Sequence, residues 1–180
     1  MRSAVIVGAG PNGLTAAARL AREGWKVSVY EARSTIGGGS RTAELIETGV
    51  RHDVCAAVHP AGASSVAFRS LRLEEHGLRW MHPEVPLVHP LGGERAGVLY
   101  RSLDDTVAAL PGRDGARWRR LMQPLLEDFD SLAGFTQGPL IGVPRNPVAA
   151  AQFGLRAVWP ATVLRRMFRH DEAQALLGGL

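Results

Sequence analysis

The stretch VIVGAGPNGL, residues 5–14, decides the fold of this 180-residue chain. It begins inside a short β-branched run, residues 4–7, which ends on glycine and predicts a buried parallel strand. Apolar residues then recur at helical spacing over residues 12–23, and Gly24 marks the end of that predicted helix. Residues 26–30 alternate between polar and apolar and predict a second strand. The N-terminal region is therefore predicted to be a strand, a crossover helix and a parallel strand.

Three glycines lie between the first predicted strand and the helix, in the spacing GxGxxG. Gly8 makes the tight turn, Gly10 lets the backbone approach a pyrophosphate, and Gly13 allows the helix to pack closely on the strand. The first turn of the helix, which includes Asn12, presents free N–H groups and the positive end of the helix dipole to phosphates. This pattern predicts an α/β fold with a Rossmann-like βαβ unit that binds a dinucleotide.

An acidic residue ends the second predicted strand. Glu31 lies 18 residues after Gly13, where a carboxylate accepts hydrogen bonds from both hydroxyls of an adenosine ribose and disfavours a 2′-phosphate. Arg33 and the doublet Gly37-Gly38 follow, and then Arg41. The doublet lets the backbone pass close to the dinucleotide, and the arginine is a candidate to neutralise phosphate.

Glu31, the glycine doublet and Arg41 resemble the second motif of the FAD-binding oxidoreductase superfamily, in which a glycine pair follows the ribose-binding acid. Within it, the stretch GGGSRTAELIETGVRHDVCAAVHP, residues 37–60, is most similar to the phytoene dehydrogenase and carotenoid desaturase-related family, including the pyridine nucleotide-disulfide oxidoreductase domain-containing protein 2 group. The resemblance covers most of the chain and is strongest over residues 4–60. Gly39 stands where desaturases and amine oxidases usually have arginine, which favours the desaturase-related branch over a flavin amine oxidase.

This resemblance implies an FAD-dependent oxidoreductase. The flavin would accept a hydride from a C–H bond of a small apolar substrate, of polyene or isoprenoid type, and leave a carbon–carbon double bond. The cofactor-binding set is the following: Gly8, Gly10, Asn12, Gly13, Glu31, Arg33, Gly37, Gly38 and Arg41. No catalytic residue is assigned. The alternatives are an N-terminal fragment or nucleotide-binding module without turnover of its own, an NAD-dependent dehydrogenase, and a flavin amine oxidase.

The expected domain organisation follows from the same motifs. Residues 1–60 are expected to form the FAD-binding βαβ unit with its glycine-rich motif. Residues 61–180 are expected to begin an inserted substrate or cap region of α+β type, helix-rich after residue 102. Only two parallel strands are predicted, so we expect an incomplete sheet and interpret the chain as the N-terminal part of a larger flavoenzyme.

Other patterns predict the remaining elements. Residues 42–46 and 50–54 predict a hairpin, and residues 78–81, 87–89 and 98–101 predict short strands. Ser102, with Asp105 three residues on, indicates a helix N-cap. A long helix is predicted over residues 114–133, with a kink at Pro124.

Composition excludes several classes of protein. The isoelectric point near 10.2 reflects 20 arginines and one lysine, and each half of the chain has a net charge of only +2, so no nucleic-acid partner is predicted. Cys55 is the single cysteine, which excludes an internal disulfide or a CxxC redox pair. The six histidines lack metal-ligand spacing, and no metal site is predicted. His52 and Asp53 are neighbours on a predicted strand and point to opposite sides, which favours structural roles over an acid–base pair.

The apolar runs are short. Four apolar residues precede the first glycine, too few for a secretory signal, and we expect a protein of the reducing cytoplasm. Residues 154–170, GLRAVWPATVLRRMFRH, carry four arginines and no acidic residue among large apolar side chains. This segment has two interpretations: a surface-seeking amphipathic segment in peripheral contact with a membrane, or a lid helix whose apolar face packs on other sequence.

Overall fold

The computed structural model of the chain describes residues 1–138, 144 and 146–179. These residues group into two compact units, Met1–Arg79 and Trp80–Leu180. The first unit therefore extends past residue 60, where the sequence placed the boundary of the nucleotide-binding region. The assignment of residues 61–180 to a substrate region stays a prediction.

The first unit begins with the predicted βαβ arrangement. Strand β1 (Ser3–Val7) and strand β2 (Lys26–Tyr30) pair in parallel, with helix α1 (Pro11–Arg22) as the crossover. Pro11 occupies the first helical position, where its fixed φ suits the helix and its missing N–H costs nothing. Gly24, with φ of +77°, turns the chain out of the helix towards β2. The Rossmann-like fold class is thus confirmed.

The sheet is incomplete, as predicted. Burial alternates along β1, where Ala4 and Ile6 are partly covered and the intervening valines are exposed. Val7 keeps 86% of its surface exposed, and Tyr30 beside it on β2 is also exposed. In parallel sheets of this class both faces are normally covered. In the described part of the chain, one face of this two-stranded sheet has no cover.

The remainder of the first unit is a short hairpin and two short helices. Strands β3 (Thr42–Ala43) and β4 (His52–Asp53) pair antiparallel and are followed by helices α2 (Pro60–Ser64) and α3 (Val66–Leu71). The predicted hairpin exists, but its paired part is shorter than residues 42–46 and 50–54. The apolar side chains beyond the pairing are exposed, so burial does not extend the ladder.

Arg22 joins the end of α1 to the end of α3. Its two terminal nitrogens donate to the carbonyl oxygens of Ser70 and Leu71 at 2.7 and 2.6 Å. The last carbonyls of a helix lack partners within the helix, so this forked donor satisfies two of them at once.

The second unit is mainly helical. Strands β5 (Leu87–Gly92) and β6 (Arg95–Leu99) form an antiparallel hairpin. The helices that follow are α4 (Leu103–Ala109), α5 (Asp114–Glu127), α6 (Phe129–Thr136), α7 (Pro147–Ala157), α8 (Ala161–Leu164) and α9 (Asp171–Gly179). The strand predicted at residues 78–81 is wrong. Leu78 and Trp80 are only partly buried, Met81 is exposed, and within the described ranges no strand pairs with this run. Pro83 lacks a backbone N–H and would prevent a ladder from continuing past this run.

The predicted N-cap of α4 is confirmed, whereas the predicted kink at Pro124 stays a prediction. Ser102 Oγ accepts a hydrogen bond from the backbone N–H of Asp105 at 3.2 Å and caps α4. Pro124 lies inside α5, where it provides no N–H for the preceding turn. The helix ends at Glu127, so the single predicted helix becomes α5 and α6.

The core of the second unit lies between α5, α9 and the chain just before α9. Trp118 and Phe168 are buried with their ring centroids 5.8 Å apart in a tilted arrangement. Four further buried residues complete the cluster: Leu110, Leu121, Ala173 and Leu176. No helix in the described ranges is long and apolar enough to cross a membrane.

Asp114, the first residue of α5, is an ionisable residue buried beside this core. Its side chain is 0% exposed, and Oδ2 accepts from the backbone N–H groups of Arg169 and His170, both at 2.8 Å. The guanidinium of Arg117 and the His170 ring complete its partners. Burial alone would raise the pKa of Asp114, but the His170 N–H, the Arg117 guanidinium and the Arg169 N–H together lower it to about 2.

Candidate dinucleotide-binding site

The candidate site is built on the loop between β1 and α1. Gly8 adopts φ of +95°, a conformation that side chains disfavour, and its N–H donates to the carbonyl of Tyr30 at 2.7 Å. A Cβ atom at Gly13 would overlap the carbonyl oxygen of Gly8. The first and third glycines of the motif therefore turn the chain and let the helix start directly above the strand.

The N-terminus of α1 has no side-chain cap. Gly10 is the N-cap and offers no side chain, and the first helical hydrogen bond runs from Leu14 N–H to Gly10 O at 2.9 Å. The N–H groups of Asn12 and Gly13 come before that bond, so the helix itself does not use them. Together with the helix dipole, these groups suit a phosphate anion.

Glu31 connects the end of β2 to the glycine-rich loop. Its Oε2 accepts from the Ala9 N–H at 2.7 Å, and its Oε1 accepts from the Arg33 N–H at 2.9 Å. The Ala9 N–H is the largest cause that lowers the pKa of Glu31, followed by the Arg33 N–H, so the carboxylate is charged at neutral pH. Each carboxylate oxygen has a second lone-pair site, which leaves room for two ribose hydroxyls.

The glycine doublet packs against the same loop. The N–H of Gly37 donates to the carbonyl of Ala9 at 2.8 Å. A Cβ atom at Gly38, where φ is +56°, would lie 2.9 Å from the Cα atom of Gly10. The two glycine-rich segments thus meet backbone against backbone, which explains why neither carries a side chain at these positions.

Arg41 forms a hydrogen bond to the glycine doublet Gly37-Gly38. Its Nε donates to the carbonyl of Gly38 at 2.8 Å, and a terminal nitrogen lies 3.4 Å from the hydroxyl of Thr35. Gly39 faces the hairpin instead, since a Cβ atom there would lie 3.5 Å from the Cβ atom of Cys55. A contact between Arg41 and phosphate stays a prediction.

The sequence-predicted residues therefore gather around one loop. The backbone of Arg33 belongs to this cluster through its bond to Glu31, while its side chain is exposed. Sequence reasoning missed Ala9, which is almost fully buried and contacts both Glu31 and Gly37. The only signal for it was its small side chain within the motif. The arrangement fits the ADP half of a dinucleotide: a backbone cradle for pyrophosphate beside a carboxylate for ribose.

The neighbouring His52 and Asp53 do not form a pair. Asp53 accepts a hydrogen bond from the Thr42 hydroxyl at 2.9 Å across the hairpin, and His52 lies opposite Ala43. These contacts suit the structural roles expected for both residues. Within the described ranges, no three His, Cys, Asp or Glu side chains converge as a metal site would require.

These elements define a Rossmann-like dinucleotide-binding domain: β1, the glycine-rich loop, α1, and β2 with the acidic residue after it. Residues 6–72 match the family described as NAD(P)-binding Rossmann-like domain. The matched range contains every residue of the candidate site.

The chain is similar to parts of several longer curated proteins. The chain is 30% identical to lysine-specific histone demethylase 1 homolog 3 of Arabidopsis thaliana, over 96% of this chain and 11% of that protein. It is 32% identical to a component of the limonene dehydrogenase of Castellaniella defragrans, over 65% of this chain and 22% of that protein. It is 54% identical to pyridine nucleotide-disulfide oxidoreductase domain-containing protein 2 of Mus musculus, over 24% of this chain and 7% of that protein. The chain thus spans a fifth or less of the length of most of these relatives.

Proposed function

We propose that this protein is an FAD-dependent oxidoreductase and that its first unit binds the ADP half of FAD. The main support is the position of Glu31, whose carboxylate is held at the end of β2 beside the uncapped N-terminus of α1. A charged carboxylate at that position suits an unmodified ribose and repels a 2′-phosphate.

The proposed roles follow the geometry of the loop. The N–H groups of Asn12 and Gly13 would hold the pyrophosphate, and Gly10 would let it approach the backbone. Glu31 would accept from the ribose hydroxyls. Arg41 would act through the doublet, since it fixes the carbonyl of Gly38. Bound FAD would supply the hydride acceptor, while these residues hold the cofactor in place.

We further propose that the substrate is a small apolar molecule of isoprenoid or polyene type, which loses hydrogen to form a carbon–carbon double bond. The similarity of residues 37–60 to the desaturase-related family supports this class. So does the similarity to the limonene dehydrogenase component, whose name specifies dehydrogenation of an isoprenoid hydrocarbon.

A nucleotide-binding module without turnover is the main rival, and an NAD-linked dehydrogenase is the second, because the matched family is described by NAD(P). The purified protein should keep a flavin absorbance spectrum through dialysis and bind FAD more tightly than NAD⁺. A colourless protein that prefers NAD⁺ would overturn the flavin proposal, and one that binds neither would support the module without cofactor.

Glu31→Gln should weaken FAD binding by about tenfold to a hundredfold, since a hydrogen bond to a charged group contributes about 1.5–3 kcal/mol. The loss should be measured by titration calorimetry on the apoprotein. Glu44→Gln is the matched control, because Glu44 is exposed and lies outside the cluster. Equal FAD affinity in both variants would remove Glu31 from the site.

A further inference from the structure

We propose that the face formed by the end of α7, the turn after it and the segment that follows α8 is a docking surface for an anionic lipid bilayer. The interfacial face is defined by six residues that are at least partly exposed: Leu155, Arg156, Val158 and Trp159 in and just after α7, and Arg165 and Arg166 just after α8. The two segments meet at one cleft, which Leu155, Arg156 and Trp159 line together with Leu164 and Met167, the residues on either side of the two arginines. It belongs to the second unit and is independent of the dinucleotide site.

Large apolar side chains are exposed together on this face. Leu155 and Val158 are 71% and 72% exposed, and Trp159 between α7 and α8 is 55% exposed. Scattered exposed apolar residues are ordinary, but a contiguous patch marks a binding surface. Tryptophan is the side chain that most favours the boundary between acyl chains and headgroups, because its ring is apolar and its N–H is polar.

The positive charge of residues 131–170 indicates which kind of partner would bind this face. Residues 131–170 contain five arginines and no aspartate or glutamate. Arg165 and Arg166 are exposed, and no salt bridge within the described ranges involves them or Arg156. Uncompensated cations around aliphatic side chains complement a bilayer with anionic headgroups. A surface for single-stranded nucleic acid would instead present several stacking aromatic residues along a basic groove, and Trp159 is the only aromatic residue of this face.

A cleft of about 270 Å³ opens on the same face. It is lined by apolar side chains that include Leu155, Trp159, Leu164 and Met167, with Arg120 and Arg156 also in the lining. Guanidinium groups at the edge of an apolar cleft are complementary to a phospholipid, because its negatively charged headgroup lies next to its apolar acyl chains. The cleft therefore suits the same partner as the exposed residues around it.

The test is co-sedimentation of the full chain with phosphatidylcholine vesicles, with and without phosphatidylglycerol. We expect binding only to vesicles that contain phosphatidylglycerol, and release at high salt. The double variant Arg165→Gln/Arg166→Gln should bind roughly thirtyfold more weakly, since each basic residue near the surface contributes about 1 kcal/mol. Arg165→Lys/Arg166→Lys should restore binding, because a bilayer attracts charge and not a fixed fork of donors.

The matched control is Arg51→Gln/Arg79→Gln, which removes two exposed arginines of the first unit and should leave vesicle binding unchanged. Insertion of Trp159 into the bilayer is tested by the quenching of tryptophan fluorescence by brominated lipid. Trp159→Phe should lose the quenching, whereas Trp25→Phe should keep it. The proposal would be overturned if the wild-type protein did not bind anionic vesicles. It would also be overturned if the Arg165→Gln/Arg166→Gln and Arg51→Gln/Arg79→Gln variants lost vesicle affinity equally. Dimerisation abolished by Trp159→Ser, or RNA binding in place of vesicle binding, would also overturn it.

Discussion

Asp114→Ala is expected to destabilise the Trp80–Leu180 unit by about 3–5 kcal/mol, since loss of one member of a buried charged cluster leaves its partners unpaired. The carboxylate is fully buried and accepts from the backbone N–H groups of Arg169 and His170. These bonds tie the start of α5 to the residues just before α9. Without them, two backbone donors and the guanidinium of Arg117 lose their acceptor.

Urea unfolding followed by tryptophan fluorescence, to which the buried core residue Trp118 contributes, measures this loss. Asp104→Ala is the control, because Asp104 pairs with Arg119 at the surface and an exposed ion pair contributes at most about 1 kcal/mol. Asp114→Asn keeps one acceptor oxygen, so its loss of unfolding free energy should lie between those of Asp114→Ala and Asp104→Ala. Equal stability of the Asp114→Ala and Asp104→Ala variants would contradict the structural role of Asp114.

The same carboxylate should make the unit sensitive to acid. Its pKa is about 2 in the folded chain and 3.8 for an ordinary aspartate, so the charged form is favoured by folding. The difference corresponds to about 2 kcal/mol of stability, present above pH 3.8 and lost as the pH falls towards 2. Asp114→Asn should show a flatter stability profile over that window. A profile identical to that of the wild type would contradict the prediction.

Local patterns in the sequence were sufficient for the elements near the dinucleotide site. The change from strand to helical periodicity around Gly8 placed β1 and α1 to within a residue or two, and Ser102 marked the N-cap of α4. These features depend on residues within one turn or one strand, where propensity and hydrogen bonding act directly.

Contacts between distant segments were not predictable from local pattern. In the sequence, Asp114 is an acidic residue in the first turn of a predicted helix. The neighbouring residues in the sequence do not indicate that its hydrogen-bond partners are Arg169 and His170. Ala9 is one small residue among many, and its two bonds arise only when the glycine-rich segments meet. Hairpin length also depended on burial, which the alternation of residues 42–54 does not determine.

Gly13→Ala is expected to reduce dinucleotide binding more than tenfold and to destabilise the first unit by about 1–3 kcal/mol, the usual cost of overpacking. The added Cβ would overlap the carbonyl oxygen of Gly8, a backbone atom with no rotamer to change. Either α1 moves away from β1 or the loop distorts, and both displace the N–H groups that would face the phosphates. Gly134→Ala makes the same change in α6, where the added Cβ meets nothing within 4 Å, and should be neutral or stabilising by up to about 1 kcal/mol. Thermal unfolding and FAD titration of both variants separate a steric effect from helix propensity. If Gly13→Ala matches Gly134→Ala in both measurements, close packing of α1 on the glycine loop is not what the site requires.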